Sequence, residues 1–272
     1  MFQTAVLASG SKGNCSIVRT RNTAILFDAG LSYSKTCTAL TQLNISPQDI
    51  KAVIISHEHS DHIKGIGPLC RKLKLPVFIT KPTYEASSKH FRKIPSEIVF
   101  FTPGDYINIG DMEIHPFPSS HDAIDACNFT VVQKSSDISI SENSNKSLPR
   151  KLAVATDLGF CTKLLTSKLQ NATTIILESN HDAVMLMSGK YPWHLKQRVR
   201  SINGHLSNDQ AVGLLSQILH PALDNLILAH LSEENNHPSI VEKVFTEYLS
   251  TMRSSTRFYI SSQISATPIL NI

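Results

Sequence analysis

The sequence predicts an α/β fold in which two β-sheets are sandwiched between helices. Three observations carry this. Short β-branched or apolar runs ending in turn residues recur through both halves of the chain, helical stretches interleave with them, and no Gly/Pro-rich linker divides the 272 residues. One domain spanning residues 1–272 is therefore expected, a length that supports a sizeable core.

In the first half, strands are expected at Thr4–Ala8, Ile17–Arg19, Ala24–Asp28, Ala52–Ser56, Pro76–Thr80, Ile98–Phe101, Tyr106–Ile109, Met112–Pro116 and Cys127–Gln133. Helices are expected at Lys35–Leu43, Ile66–Leu73 and Tyr84–His90. The second half alternates more cleanly. Leu152–Thr156, Thr174–Glu178, Leu226–His230 and Arg257–Ser261 read as strands, and Cys161–Leu169, Pro192–Ser201, Asn208–Leu219 and Ser239–Ser250 as helices. Ser207 with Gln210 has the spacing of a capping box, and Pro221 falls just past the end of that helix. The Ser/Asn-rich stretch Ser135–Ser147 lies between two strands and reads as a mobile hairpin loop, at about residues 135–149.

Composition narrows the function classes. The net charge of +4 is mildly basic and permits a polyanionic partner without requiring one. The five cysteines are scattered, odd in number and never in a CxxC pair, which argues against a disulfide scaffold or a Cys-rich zinc site and for a reducing compartment. No apolar run approaches a membrane span, and Met1–Leu7 has neither the basic start nor the long apolar stretch of a signal peptide. A cytoplasmic protein with no membrane partner is expected.

The chemistry concentrates at His57-Glu58-His59-Ser60-Asp61-His62, directly after the buried-strand pattern Val53-Ile54-Ile55-Ser56. Three imidazoles and two carboxylates in six residues are costly to bury without a partner. Donors at i, i+2, i+4 and i+5 do not share one helix face, so an irregular loop at a strand end suits them. Imidazole nitrogen and carboxylate oxygen are donors for zinc, manganese or iron alike. Further donors stand at or just past other strand ends: Asp28, His121, Asp157 and His230. Strand ends sharing one edge of a sandwich would bring them together.

His57-x-His59-x-Asp61-His62 with Asp28, His121, Asp157 and His230 resembles the five-motif signature of the metallo-β-lactamase fold, an αββα sandwich of two mixed β-sheets flanked by helices. The resemblance implies a two-metal site. His57, His59 and His121 would hold one ion, Asp61, His62 and His230 the other, and Asp157 would bridge both. Asp28 would orient the histidine loop by hydrogen bonds. A metal-bridging hydroxide would be the nucleophile, with Asp61 aiming it. A β-lactam substrate is disfavoured, because those enzymes work outside the cytoplasm and generally lack a bridging aspartate.

Glu178-Ser179-Asn180-His181-Asp182 and Gly204-His205-Leu206-Ser207-Asn208, upstream of Leu228-Ala229-His230-Leu231-Ser232, are similar in order to elements of the tRNA 3′-processing nucleases of this superfamily. By that resemblance His205 would protonate the leaving group or bind phosphate, supported by Glu178. Together with Leu7–Asn14, Phe27–Ser32 and Ser56–Gly65, these elements resemble the bacterial YycJ (WalJ) family, regarded as 5′→3′ DNA exonucleases. The resemblance implies a two-metal-dependent phosphodiesterase acting on nucleic acid, DNA in particular. The same donor set would also serve a glyoxalase-II-like ester or thioester hydrolase, a cyclic-nucleotide phosphodiesterase, an RNA-processing nuclease or a non-catalytic binding module.

Two further segments invite a role. The Gly-rich Ser9–Asn14 loop could cradle a phosphate with its amides, although a tight turn is the commoner use of such a segment. Lys64, Arg71, Lys72, Lys74, Lys89, Arg92 and Lys93 could form a DNA-facing stripe.

Overall fold

The structure is a computed structural model that describes residues 1–91, 97–134 and 149–272. The first half contains β1 (Phe2–Ala8), β2 (Cys15–Thr20), β3 (Ala24–Phe27), α1 (Tyr33–Gln42), β4 (Ile50–Ile54), α2 (Ser60–Ile63), α3 (Ile66–Leu73), β5 (Val77–Ile79), α4 (Lys81–Ala86) and β6 (Ile98–Phe100). The second contains β7 (Ile107–Ile109), β8 (Met112–Pro118), β9 (Cys127–Gln133), β10 (Lys151–Ala155), α5 (Lys163–Leu169), β11 (Thr174–Glu178), α6 (Ala183–Ser188), α7 (Trp193–Val199), α8 (Asn208–Ile218), β12 (Asn225–Ala229), α9 (Pro238–Thr251), β13 (Arg257–Ile260) and β14 (Leu270–Asn271).

Among the described residues these strands form two seven-stranded sheets, ordered β14-β1-β2-β3-β4-β5-β6 and β13-β12-β11-β10-β9-β8-β7. Each sheet is mixed. Strands β1 to β3 pair antiparallel and β3 to β6 parallel, while β7 to β10 pair antiparallel and β10 to β13 parallel. The expected sandwich of two mixed sheets is present.

Alternation along the strands explains the layers. Ile25 and Phe27 of β3 meet Phe129, Val154 and Ile176 between the sheets, whereas Ala24 and Leu26 face the layer of α1 and α3. In β11, Ile176 points between the sheets while Ile175 and Leu177 pack with Leu214 of α8 and Phe245 of α9. Central strands buried on both faces read as continuous apolar runs, which is why they were visible in the sequence. Ser207 and Gln210 make the reciprocal capping box at α8. None of the five cysteines forms a disulfide, and among the described residues no helix is long and apolar enough to cross a membrane.

Three differences from the sequence expectations have physical causes. The segment Ser60–Ile63 is a turn of α-helix rather than irregular loop. Only His57 to His59 stay outside regular structure, and the helical turn is held from outside by the bond from Ala29 N to His62 O, 2.7 Å. Helix α6 was missed because it is six residues long, although Asp182, which caps it by accepting from Met185 N, is a legible start signal. Strand β14 has only two residues and pairs with β1 across the whole length of the chain, so no local pattern announces it. The Ser135–Ser147 stretch, with Arg92 and Lys93, lies outside the described residues.

The segments after β1, β3 and β4 are stitched together through their backbones. Asn14 N donates to Asp61 O, Gly30 N to Asn14 O, and Gly65 N to Ala29 O, all at 2.7–2.9 Å. Gly30 permits this approach: a Cβ there would lie 1.6 Å from the Asp61 carbonyl oxygen. Gly30→Ala is expected to cost about 3 kcal/mol, the upper range for overpacking, and to weaken metal binding by displacing Asp61 and His62. Urea unfolding with a metal titration measures both, and wild-type values in each would show that the segments can separate freely.

Candidate metal centre

The candidate site sits where the carboxyl ends of the parallel strands of both sheets converge, the usual place for a site in an open α/β sheet. Asp28 follows β3, His57 follows β4, Asp157 follows β10, Glu178 ends β11 and His230 follows β12. Register carries this: Glu178 is the partner of Ala229 across β11 and β12, so it lies beside His230. Asp28, Asp157 and His230 all take left-handed backbone conformations, with φ of 63°, 57° and 59°. Such conformations cost on the order of 1–3 kcal/mol each and cluster at sites where side-chain placement over-determines the backbone.

The structure brings every sequence-expected residue into this one neighbourhood. Ligand atoms of His57, His59 and His121 lie within 4.8 Å of one another, as do those of Asp61, His62 and His230, and those of His57, His62 and Asp157. Asp157 stands between the groups. Its Oδ1 is 3.7 Å from His121 Nε2 and 3.6 Å from His230 Nε2, and its Oδ2 is 3.4 Å from His62 Nε2.

The imidazoles are aimed from behind. His62 Nδ1 contacts Asp28 Oδ2 at 2.8 Å, and His230 Nδ1 contacts Glu178 Oε1 at 2.9 Å. His57 Nδ1 contacts Ser56 Oγ at 2.9 Å, and His121 Nδ1 lies 3.2 Å from Gly204 O. Asp28 also accepts from Ser56 N and Oγ, so one carboxylate steers two histidines. With Nδ1 engaged, Nε2 is the nitrogen left for a cation. Nε2 of His57 and of His230 and Oδ2 of Asp157 are buried and have no hydrogen-bond partner. Unpaired buried donors and acceptors are expensive, and here they converge with the chemistry of divalent-metal ligands. The residues therefore fit a pair of divalent cations.

Electrostatics agree. Burial would raise the Asp157 carboxyl, but His230, His62, His57 and His121 pull it well below the usual carboxylate range. Burial would likewise raise Asp61, and its contacts with His230 and His62 lower it far instead. Burial would lower His230, yet Asp157, Asp61 and Glu178 outweigh that and hold it at about 10. His57 is driven well below its ordinary value by burial first and then by His62. The carboxylates are thus ionised, and a cation at these nitrogens competes with protons.

Glu178 and His205 join the same cluster. Glu178 is fully buried, its Oε1 lies 2.8 Å from His205 Nδ1, and its Oε2 accepts from the backbone of Leu158 and Leu206. Burial would raise this carboxyl, but His205 and His230 bring it down to about 2. The sequence reading linked Glu178 to His205 alone; the structure shows it holding His230 as well. His181, from the same acidic-strand element, is buried and kept neutral, with its pKa lowered to about 4 chiefly by burial.

The centre opens into a cleft of about 360 Å³ lined among others by His59, Asp61, Asp157, His205 and His230. Several residues around the centre have contacts that sequence reasoning did not assign to them. Asn14 Nδ2 lies 3.0 Å from both Asp61 Oδ2 and His62 Nε2. Ser9 Oγ accepts from His230 N, so this loop ties the two halves of the site. Asp122 faces His121 Nε2 at 3.5 Å and pairs with Arg198 at 2.5 Å. Asp122 adjoins His121, and adjacency to a ligand was the one signal available. The amides of Ser9, Gly10, Lys12, Gly13 and Asn14 all go to protein acceptors, so the Gly-rich loop is a turn that positions side chains. Glu58, half-buried, accepts from Ile124 N. Of the described residues in the expected basic stripe, none lines the cleft.

Fold and site together define a metallo-β-lactamase-fold metalloprotein, and a sequence model of the metallo-beta-lactamase superfamily matches residues 8–123. The chain is 35% identical to exodeoxyribonuclease YycJ of Bacillus anthracis, over 90% of this chain and 88% of that one. It is 33% identical to exodeoxyribonuclease WalJ of Streptococcus pneumoniae, over 100% of this chain and 98% of that one. The chain belongs to the YycJ/WalJ family. Among solved structures, the metallo-beta-lactamase fold protein YhfI from Bacillus subtilis superposes with a TM-score of 0.66 at 17% identity, over 98% of this chain and 99% of that one, which shows the shared fold.

Glu178→Gln keeps the shape but removes the charge that orients His230 and His205. It is expected to weaken binding of the cation at His230 about 10–100-fold. Calorimetric titration of chelated protein with zinc or manganese measures this, and an unchanged affinity would assign Glu178 to His205 alone.

Proposed function

We propose that this protein is a two-metal-dependent phosphodiesterase, specifically a 5′→3′ DNA exonuclease. The observation that carries the reading is the pairing of Glu178 with His205 at 2.8 Å in the same cleft as the imidazole–carboxylate cluster. A hydrolase for activated esters or thioesters has little need of a proton donor, because its leaving group departs as a stable anion. A phosphodiester expels an alkoxide, and a proton supplied to it lowers the barrier. The names of the near-full-length relatives, both exodeoxyribonucleases, point the same way.

His57, His59 and His121 would hold one cation, Asp61, His62 and His230 the second, and Asp157 both. Bound side by side, two such cations supply a nucleophile at neutral pH and offset charge on the phosphate. Asp61, on the cleft wall, accepts a hydrogen bond from the attacking water and orients it. His205 donates its Nε2 proton to the leaving oxygen, while the buried carboxylate of Glu178 fixes the ring through Nδ1. Asp28 and Ser56 keep His62 and His57 aligned throughout. The reading includes a cytoplasmic location, consistent with five cysteines that form no disulfide.

The test is a nuclease assay on end-labelled, 5′-phosphorylated DNA duplex, single-stranded DNA, RNA and a model thioester, with manganese or zinc supplied. DNA should be degraded from its 5′ end, faster than the other substrates. His59→Ala and Asp61→Asn should each lower turnover by about a thousandfold or more, as loss of a group at the reacting centre does, with circular dichroism unchanged. Full activity in either would sink the assignment. His205→Ala should retain its metal content and lose about 10²–10⁴-fold in turnover, the range for general acid catalysis; loss of metal instead would make His205 a ligand.

A further inference from the structure

One wall of the cleft has properties that the metal centre does not explain. Tyr191, Leu195, Arg198 and Val199, from α7 and the residue pair before it, line the cleft. Yet α7 contains no buried residue. A helix with no fully buried residue, only half-buried Leu195, Lys196 and Val199, gains little from packing, and its presence on the rim calls for another reason. The chain from Ala183 to Asn208 contains Lys190, Lys196, Arg198 and Arg200 and no Asp or Glu. The same segment exposes Trp193 at 59% and Ile202 at 70%. Arg198 spends only its Nε on the Asp122 carboxylate, and among the described residues its two terminal nitrogens have no protein partner.

We propose that α7 and its flanks form the holding arm for a nucleic-acid strand entering the cleft. Arg198 binds a backbone phosphate next to the reacting one, and Trp193 provides a stacking surface for a base farther along. This inference rests on the nuclease reading and adds the residues that grip the strand. The chemistry is that of single-strand binding: an electropositive track beside an exposed aromatic ring, sequence-tolerant because every base has a π-face. Arg198 and Trp193 are five residues apart, about 7.5 Å of helical rise, on different faces of α7. A strand that leaves the cleft past Arg198 therefore wraps the helix to reach the indole. Asp122 holds the Arg198 guanidinium in position and leaves its fork open for phosphate oxygens. The Asp122–Arg198 pair also sits beside His121 and His59, so the grip on the strand is tied to the metal centre.

Trp193 is the only tryptophan of the chain, so its fluorescence reports the arm alone. The experiment is a titration of metal-loaded protein with a 5′-phosphorylated, hydrolysis-resistant phosphorothioate dodecamer, read by Trp193 emission and by anisotropy of a label on the strand. Quenching should track binding. Arg198→Ala should weaken affinity about tenfold and reduce the slope of log affinity against log salt by about 0.7, the value for one lost phosphate contact on a single strand. Trp193→Ala should weaken affinity about tenfold with no change in that slope. On a small chromogenic phosphodiester, which reaches only the reacting centre, Trp193→Ala should match wild type in kcat and KM. Strand binding by anisotropy without quenching, or with unchanged affinity in both variants, overturns the inference and leaves the nuclease reading standing. Quenching without hydrolysis of any phosphodiester overturns the nuclease reading while the strand-holding arm survives. If Trp193→Ala changes the oligomeric state on a sizing column but not strand affinity, the face is a protein interface and the inference falls.

Discussion

The structure depends on anchoring four histidines of the site through Nδ1, which leaves Nε2 to face the centre. Asp28, Ser56, Gly204 and Glu178 each take up an Nδ1, of His62, His57, His121 and His230 respectively. A buried imidazole without such an anchor is free to rotate and to choose either tautomer. With it, the ring plane and the free nitrogen are both fixed. The cost is that two carboxylates, Asp28 and Glu178, must be buried at 8% and 0% exposure. Each is tolerable because it accepts several hydrogen bonds, including at least one from a backbone amide.

The two sheets contribute matching parts. Each runs from an antiparallel half into a parallel half, and each places a buried carboxylate at or just past the end of a parallel strand. The first sheet delivers Asp28 with His57 and His62, and the second delivers Glu178 with His230. Neither half forms the centre alone. Asp157, from the second sheet, reaches His62 of the first, and Ser9, from the first, holds the backbone of His230 in the second. The inter-sheet core around Phe27, Phe129, Val154 and Ile176 is what sets the separation of these strand ends. Packing there and geometry at the centre are thus one problem, and the left-handed residues Asp28, Asp157 and His230 carry the strain that results.

The cleft has two unlike sides. One is rigid, built on strand ends and cross-linked by backbone hydrogen bonds between loops. The other is a short helix with no fully buried residue and with basic and aromatic side chains. A rigid side suits the placement of reacting atoms to fractions of an ångström. A lightly packed side suits the admission of a long, flexible substrate. That division is a common solution where one enzyme must do exact chemistry on a polymer of variable sequence.

By itself the sequence determined the layers, most of the strands and the donor set. Buried parallel strands write themselves as continuous apolar runs, and His57-x-His59-x-Asp61-His62 concentrates more metal-binding groups than a surface loop would keep. It also determined that Asp28, His121, Asp157 and His230 stand at or just past strand ends. What only the tertiary structure decided was which neighbours hold those groups. Ser9, Asn14, Ser56 and Asp122 are ordinary residues in sequence, and their roles arise from contacts that mostly span many residues. The same holds for Glu178 acting on His230 as well as His205, which follows from the register of β11 against β12. Strand β14 and the placement of helix α7, itself expected from the sequence, were settled the same way. One is too short to carry a pattern, and the other sits on the cleft wall because of where the chain returns in space. Local patterns record what a segment buries; they do not record which distant segment it is buried against.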